Sequence, residues 1–165
     1  MDDDAADSYA RSPEPEDVSK LCRALNEAGA KYVLIGGFAV MAYGADRYTK
    51  DIDLLIDDSP DNVRRVKQAL AVLPDNAGAE IAESDVRDYV VVRVADEVLV
   101  DLMGRACGLD YDAVSQDAEH RDVGGVTVCV ASPATLIKTK DTFRPQDAID
   151  RAFLERVIAD RAGKS

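Results

Sequence analysis

The sequence predicts an α/β (α+β) domain in which a mixed β-sheet is covered by helices, and three observations predict it. Apolar runs of strand length (32–35, 51–56, 126–130) are separated by segments whose apolar residues recur at helical spacing. Ser59-Pro60 and Ser132-Pro133 supply N-cap and N1 residues at two helix starts. The β-rich runs 86–94 and 97–103 follow one another with no helix between them, which argues against an all-parallel wound sheet.

Taken in order, Val18, Leu21, Cys22, Leu25 and Ala28 form one helical stripe over 16–28, and Gly29 is placed to close it as a C′ residue. Lys31–Ile35 reads as the first strand. Gly36-Gly37 turns the chain into a short helix over 38–43, and Asp51–Ile56 is the second strand. Val63, Val66, Leu70 and Leu73 give the inner face of the helix begun by Ser59-Pro60, and 75–83 is a polar loop. The runs 86–94 and 97–103 pair as a hairpin across Ala95-Asp96. Segment 105–117 has no firm period and is expected to be loop with room for a helical turn. Gly124-Gly125 introduces a final strand, 126–130. Leu136, Ile137 and Lys140 follow in a helix, and a last helix runs over 145–161 with Ile149, Phe153, Leu154, Val157 and Ile158 inward.

At 165 residues and 47% hydrophobic, the chain can bury one core. The expected organisation is a disordered acidic leader over 1–17 and a single domain over 18–165. The leader holds seven acids against one base, Arg11, so it carries half of the net charge of −12. That acidity argues against extended nucleic-acid binding. Three cysteines without paired spacing indicate neither a disulfide framework nor a zinc site. With no apolar run of membrane-spanning length and no signal-type start, the expectation is a cytoplasmic protein with no membrane partner.

The chemistry lies in Tyr32-Val-Leu-Ile-Gly36-Gly37 and, fourteen residues after Gly37, Asp51-Ile-Asp53. A glycine pair closing an apolar run offers backbone N–H groups to a phosphate. Carboxylates at i and i+2 of a strand project from one face. Mg²⁺ takes oxygen ligands, usually one or two carboxylates with substrate phosphates. A third carboxylate should come from a neighbouring strand, and Asp101 stands inside an apolar run where an unpartnered charge is costly. This is equipment for metal-assisted chemistry on a nucleoside triphosphate. Histidine triad chemistry has no support, since the lone histidine, His120, precedes a turn as a surface residue and no Cys–His pair is in view.

Gly36-Gly37, Gly44, Arg47, Thr49, Asp51-Ile-Asp53 and Asp101, with the tail from Ser132 through Lys140, Arg144, Asp147 and Asp150, resemble the signature of the polymerase-β-type nucleotidyltransferase superfamily. The likeness spans roughly residues 18–155 and extends to small stand-alone bacterial members, including AbiEii-type toxin nucleotidyltransferases. It implies the nucleotidyltransferase fold and an enzyme that moves an NMP group from an NTP to an acceptor hydroxyl. Asp51, Asp53 and Asp101 would be catalytic and would hold Mg²⁺ or Mn²⁺. Gly36, Gly37, Arg47, Thr49 and Lys140 would bind the nucleotide. Lys138 and Lys140 also fit solvated helix positions, and Arg47 fits the surface as well as a phosphate. Asp147 and Asp150 are expected to brace the last helix through Arg144 or Arg151. The partners implied are a nucleoside triphosphate and an acceptor that is a small molecule, protein or RNA. Alternative functions are a growth-arresting toxin with an antitoxin partner, or a non-catalytic nucleotide-binding module. The intact carboxylate set argues against the module.

Overall fold

Pro15 opens the first helix, α1 (Pro15–Glu27), in a computed structural model that describes residues 10–164. Residues 1–9 of the acidic leader lie outside the described residues. From Arg11 onward the chain is tied down. The Arg11 N–H donates to the Glu97 carbonyl at 3.0 Å, its guanidinium pairs with Asp17 at 2.6 Å, and Pro13 is buried. Pro15–Asp17, placed by the sequence in the leader, form the first turn of α1. Val18, Leu21, Cys22 and Leu25 make its buried stripe, and the Gly29 N–H donates to Asn26 O where the helix closes.

Then follow β1 (Tyr32–Ile35), α2 (Gly36–Ala42), β2 (Asp51–Ile56) and α3 (Pro60–Leu70). Ser59 caps α3 by accepting from the Asn62 N–H at 3.4 Å. Beyond a 3₁₀ turn (Ala77–Glu80) come α4 (Asp85–Asp88), β3 (Val92–Ala95) and β4 (Leu99–Met103). A two-stranded ribbon, β5 (Arg105–Ala106) and β6 (Leu109–Asp110), leads into α5 (Tyr111–Ser115). The chain ends with β7 (Glu119–Val123), β8 (Val126–Val130), α6 (Pro133–Thr139) and α7 (Pro145–Gly163).

Six strands form one mixed sheet in the order β3-β4-β2-β1-β8-β7. β1 runs antiparallel to β2 and parallel to β8, and β2 runs parallel to β4. This is the mixed, helix-covered sheet expected from the sequence. Every β1 residue is buried, and Leu34, Ile52, Leu54, Leu102 and Leu136 are among the fully buried side chains of the core. No helix of the described residues is long and apolar enough to cross a membrane.

Three expectations need correction. The strand expected over 86–94 begins only at Val92. Val86 is the buried residue of α4, whereas Tyr89, Val90 and Val91 are exposed, so the β-rich composition there belongs to helix and surface. Segment 119–123 is an edge strand, hidden in the sequence by its polar residues, Glu-His-Arg-Asp. The inner face of α7 is not the apolar set expected: Asp147, Asp150 and Leu154 are buried, while Ile149 and Ile158 are exposed. Basic partners turn the two carboxylates inward.

The β3–β4 turn contains another buried carboxylate that organises its surroundings. Asp96 accepts from the backbone N–H groups of Asp75 (3.0 Å), Ala77 (2.9 Å) and Glu97 (2.7 Å), fastening the loop after α3 to the hairpin. Hydrogen bonds to a charged acceptor contribute more than neutral ones, and the donors would be stranded without it. Asp96→Ala is therefore expected to cost about 2 kcal/mol in urea unfolding. A loss below about 0.5 kcal/mol would show that water satisfies those donors.

Candidate active site

Strand register builds the site. In β2 the odd residues Asp51 and Asp53 face the site, and Ile52 and Leu54 are buried on the opposite side. Asp53 is aligned with Ile35 of β1 on one side and with Asp101 of β4 on the other. Asp101 is in turn aligned with Arg93 of β3. One row across four strands thus reads Ile35, Asp53, Asp101, Arg93. The structure brings together the three carboxylates singled out in the sequence: one oxygen from each of Asp51, Asp53 and Asp101 lies within 4.8 Å of the others.

Like charges this close must be offset. Burial, with Asp51 and Asp101 alongside, pushes the Asp53 carboxyl up to about 8. Burial and the Asp101 charge also raise Asp51, against the pull of Arg93. Arg93 is the residue that sequence reasoning missed. Its Nε and one terminal nitrogen each donate to Asp101 at 2.8 Å, and that terminal nitrogen reaches Asp51 at 3.0 Å. Only the β3–β4 pairing reveals it, because nothing in the spacing of residues 93 and 101 marks a shared site.

Gly36 and Gly37 adjoin this cluster where β1 passes into α2. Gly36 has φ +74°, and a Cβ there would stand 2.0 Å from Asp53 Oδ2. A Cβ on Gly37 would stand 2.7 Å from the Thr49 Cβ and 3.2 Å from an Arg47 nitrogen. The glycines therefore let β2 and the 47–49 segment close onto the helix start. Gly36→Ala combines a left-handed backbone with a direct overlap on a site carboxylate. The expected cost is about 2 kcal/mol of stability, with loss of divalent-ion binding, read by thermal unfolding and calorimetry. Unchanged ion affinity would show that Asp53 has room to move.

A cleft of about 340 Å³ opens over these residues. Arg47, Thr49 and Lys140 line it as well. Lys140, at the C-terminal end of α6, is buried, with its Nζ 3.0 Å from Asp150 and 3.7 Å from Asp147. Arg47 reaches Asp150 from the other side at 2.5 Å. The brace expected between α7 and Arg144 or Arg151 is thus made by Lys140 and Arg47, while Arg151 donates to the Lys140 carbonyl. Lys138 is exposed, and Ser132 caps α6 by accepting from the Thr135 N–H at 3.1 Å.

An all-oxygen donor set suits a hard divalent cation. One oxygen from each carboxylate already lies within 4.8 Å of the others, so Asp51, Asp53 and Asp101 could together hold one such ion. Raised carboxyl pKa values give the same indication, since a cation would relieve the repulsion. The residues present fit such an ion.

Carboxylates converging from two parallel strands beside a glycine-started helix define a protein of the nucleotidyl-transfer class. A family model described as a nucleotidyl transferase of unknown function matches residues 14–162, and the chain belongs to that family. It is accordingly an enzyme of the group that transfers phosphorus-containing groups. No curated protein matches the chain.

Proposed function

We propose that the protein is a Mg²⁺-dependent nucleotidyltransferase, with Mn²⁺ as a substitute, that moves an NMP group from an NTP to an acceptor hydroxyl. The observation that carries this reading is the register placing Asp53 beside Asp101, with Asp51 on the same strand face. In the proposed mechanism Asp51 and Asp53 hold the ion, and Asp101 completes the set. Bound there, Mg²⁺ supplies Lewis-acid polarisation of the phosphoryl oxygens and neutralises the charge of the leaving pyrophosphate. Asp101 accepts the proton of the acceptor hydroxyl, and Arg93 keeps that carboxylate oriented through two hydrogen bonds. The Gly36-Gly37 backbone and Thr49 receive the phosphate chain, while Lys140 and Arg47, held by Asp150, form the wall beside it.

Three exposed apolar side chains adjoin the cleft: Val90, which lines it, and Tyr48 and Phe143, each between lining residues. Exposed apolar groups beside a reactive site favour a macromolecular acceptor over a small one. A growth-arresting toxin acting on tRNA or protein fits that rim. Incubating the protein with Mg²⁺, each α-labelled NTP and cell extract, then separating protein, RNA and small molecules, tests both levels. Label in any fraction supports nucleotidyl transfer, and label confined to small molecules overturns the macromolecular acceptor. No Mg²⁺-dependent incorporation from any NTP overturns the reading as a whole.

A further inference from the structure

Four cationic side chains line the cleft: Arg47, Arg105, Lys140 and Arg144. Their charge states of pairing differ sharply. Lys140 and Arg47, with side chains 6% and 17% exposed, are held against Asp150, itself 2% exposed, and Lys140 also faces Asp147. Two cations meet two buried carboxylates, so this wall is close to neutral and its geometry is fixed from both sides. Arg93 is engaged with Asp101 and Asp51. Arg105 and Arg144 are exposed, and among the described residues neither has a carboxylate within ion-pair distance.

They come from separate segments. Arg105 begins β5, immediately after the Gly104 that follows the Asp101 strand. Arg144 is the N-cap residue of α7, where its backbone N–H donates to Thr142 Oγ1 at 3.1 Å, leaving the guanidinium unspent. Both arginines line the same cleft as Asp51 and Asp53. A triphosphate carries several negative charges, and a guanidinium offers paired donors matched to phosphate oxygens.

We propose that Arg105 and Arg144 are the residues that clamp the pyrophosphate end of the nucleoside triphosphate, while the Lys140–Arg47–Asp150 cluster shapes the wall behind it. This assignment rests on the nucleotidyltransferase reading and sharpens it. It gives the cleft a charge division, with the carboxylates at the reacting phosphate and two uncommitted arginines at the leaving group.

Calorimetric titration of the full chain at saturating Mg²⁺ tests it. The probes are inorganic tripolyphosphate, the four NTPs and the matching NMPs. Arg105→Gln and Arg144→Gln should each weaken tripolyphosphate and NTP binding roughly tenfold or more, and leave NMP affinity unaltered. Arg144→Lys should recover part of the loss, and Lys138→Gln, outside the cleft, should bind as wild type. Both glutamine variants should unfold at the wild-type midpoint, because neither arginine holds an ion pair. Wild-type tripolyphosphate affinity in both variants overturns the clamp and leaves the enzymatic reading standing. Arginine-dependent tripolyphosphate binding without any NTP binding keeps the anion site and removes the nucleotide reading. Binding of neither removes both.

Discussion

Asp53→Asn is expected to abolish nucleotidyl transfer while making the metal-free protein more stable at pH 8. The two effects share one cause. Asp53 sits between Asp51 and Asp101, and burial with those two charges pushes its carboxyl up to about 8. Unfolded, the same group titrates near 3.8, the ordinary value of an aspartate. Between those values the folded protein keeps a proton that the unfolded chain releases, so stability falls as pH rises through that window. Asparagine removes the titration and with it the penalty, which is largest above pH 8. Transfer moves the opposite way: losing one anionic ligand should lower turnover at least about a thousandfold, on the order of 4 kcal/mol of transition-state stabilisation. Mg²⁺ should raise the wild-type unfolding midpoint, by about 2.7 kcal/mol equivalent at a hundredfold excess over its Kd, and leave the variant unmoved. The check is thermal unfolding at pH 5.5 and 8.5, in EDTA and in Mg²⁺. A variant less stable than wild type at pH 8.5 in EDTA would mean that the carboxylate cluster is not under charge strain.

Asp53 and Asp101 were visible in the sequence because each breaks an apolar run, and Asp51 because it stands two residues before Asp53 on the same strand face. Their mutual approach required only period-two alternation and one parallel pairing. Arg93 was not visible. It lies in a run where Val92 and Val94 already account for the alternation, and its meaning depends on the β3–β4 register. The acidic face of α7 was concealed for a related reason. Ile149, Phe153, Val157 and Ile158 form an apolar stripe by spacing, yet Lys140 and Arg47 draw Asp147 and Asp150 inward and displace part of it to the surface. Helical periodicity ranks apolar residues alone; a buried ion cluster can outweigh it. The edge strand Glu119–Val123 had too little apolar content to register, although the turn at Gly124-Gly125 that joins it to β8 was legible. Helix starts were the most readable features, since Ser59 and Ser132 act through contacts only three residues away.

Lys140→Ala is expected to unfold the protein more readily before it reveals anything about phosphate. The Nζ lies 3.0 Å from Asp150 and 3.7 Å from Asp147, and all three residues are buried. Burial alone would raise the Asp150 carboxyl, but hydrogen bonds from Lys140 and Gln146 and the charges of Lys140 and Arg47 hold it below the usual carboxylate range. Removing the ammonium leaves Arg47 to serve Asp150, and leaves Asp147 with the neutral Thr142 hydroxyl and without its cation. Breaking one partner out of a buried pair typically costs about 3–5 kcal/mol, more than an exposed phosphate contact would. Urea unfolding should therefore show a lower midpoint at unchanged slope, whereas Lys138→Ala, on the exposed side of α6, should stay within about 0.5 kcal/mol of wild type. The sign with pH is fixed by the depressed Asp150. Its contribution is present above the unfolded carboxylate pKa and is lost as pH falls through the folded one, so the penalty of Lys140→Ala should shrink under acid. Lys140→Ala combined with Asp150→Asn should cost less than the two single changes added, because the second removes the charge the first abandons. Wild-type stability in Lys140→Ala, with NTP affinity alone reduced, would instead make the lysine a phosphate ligand and leave Arg47 as sufficient partner for α7.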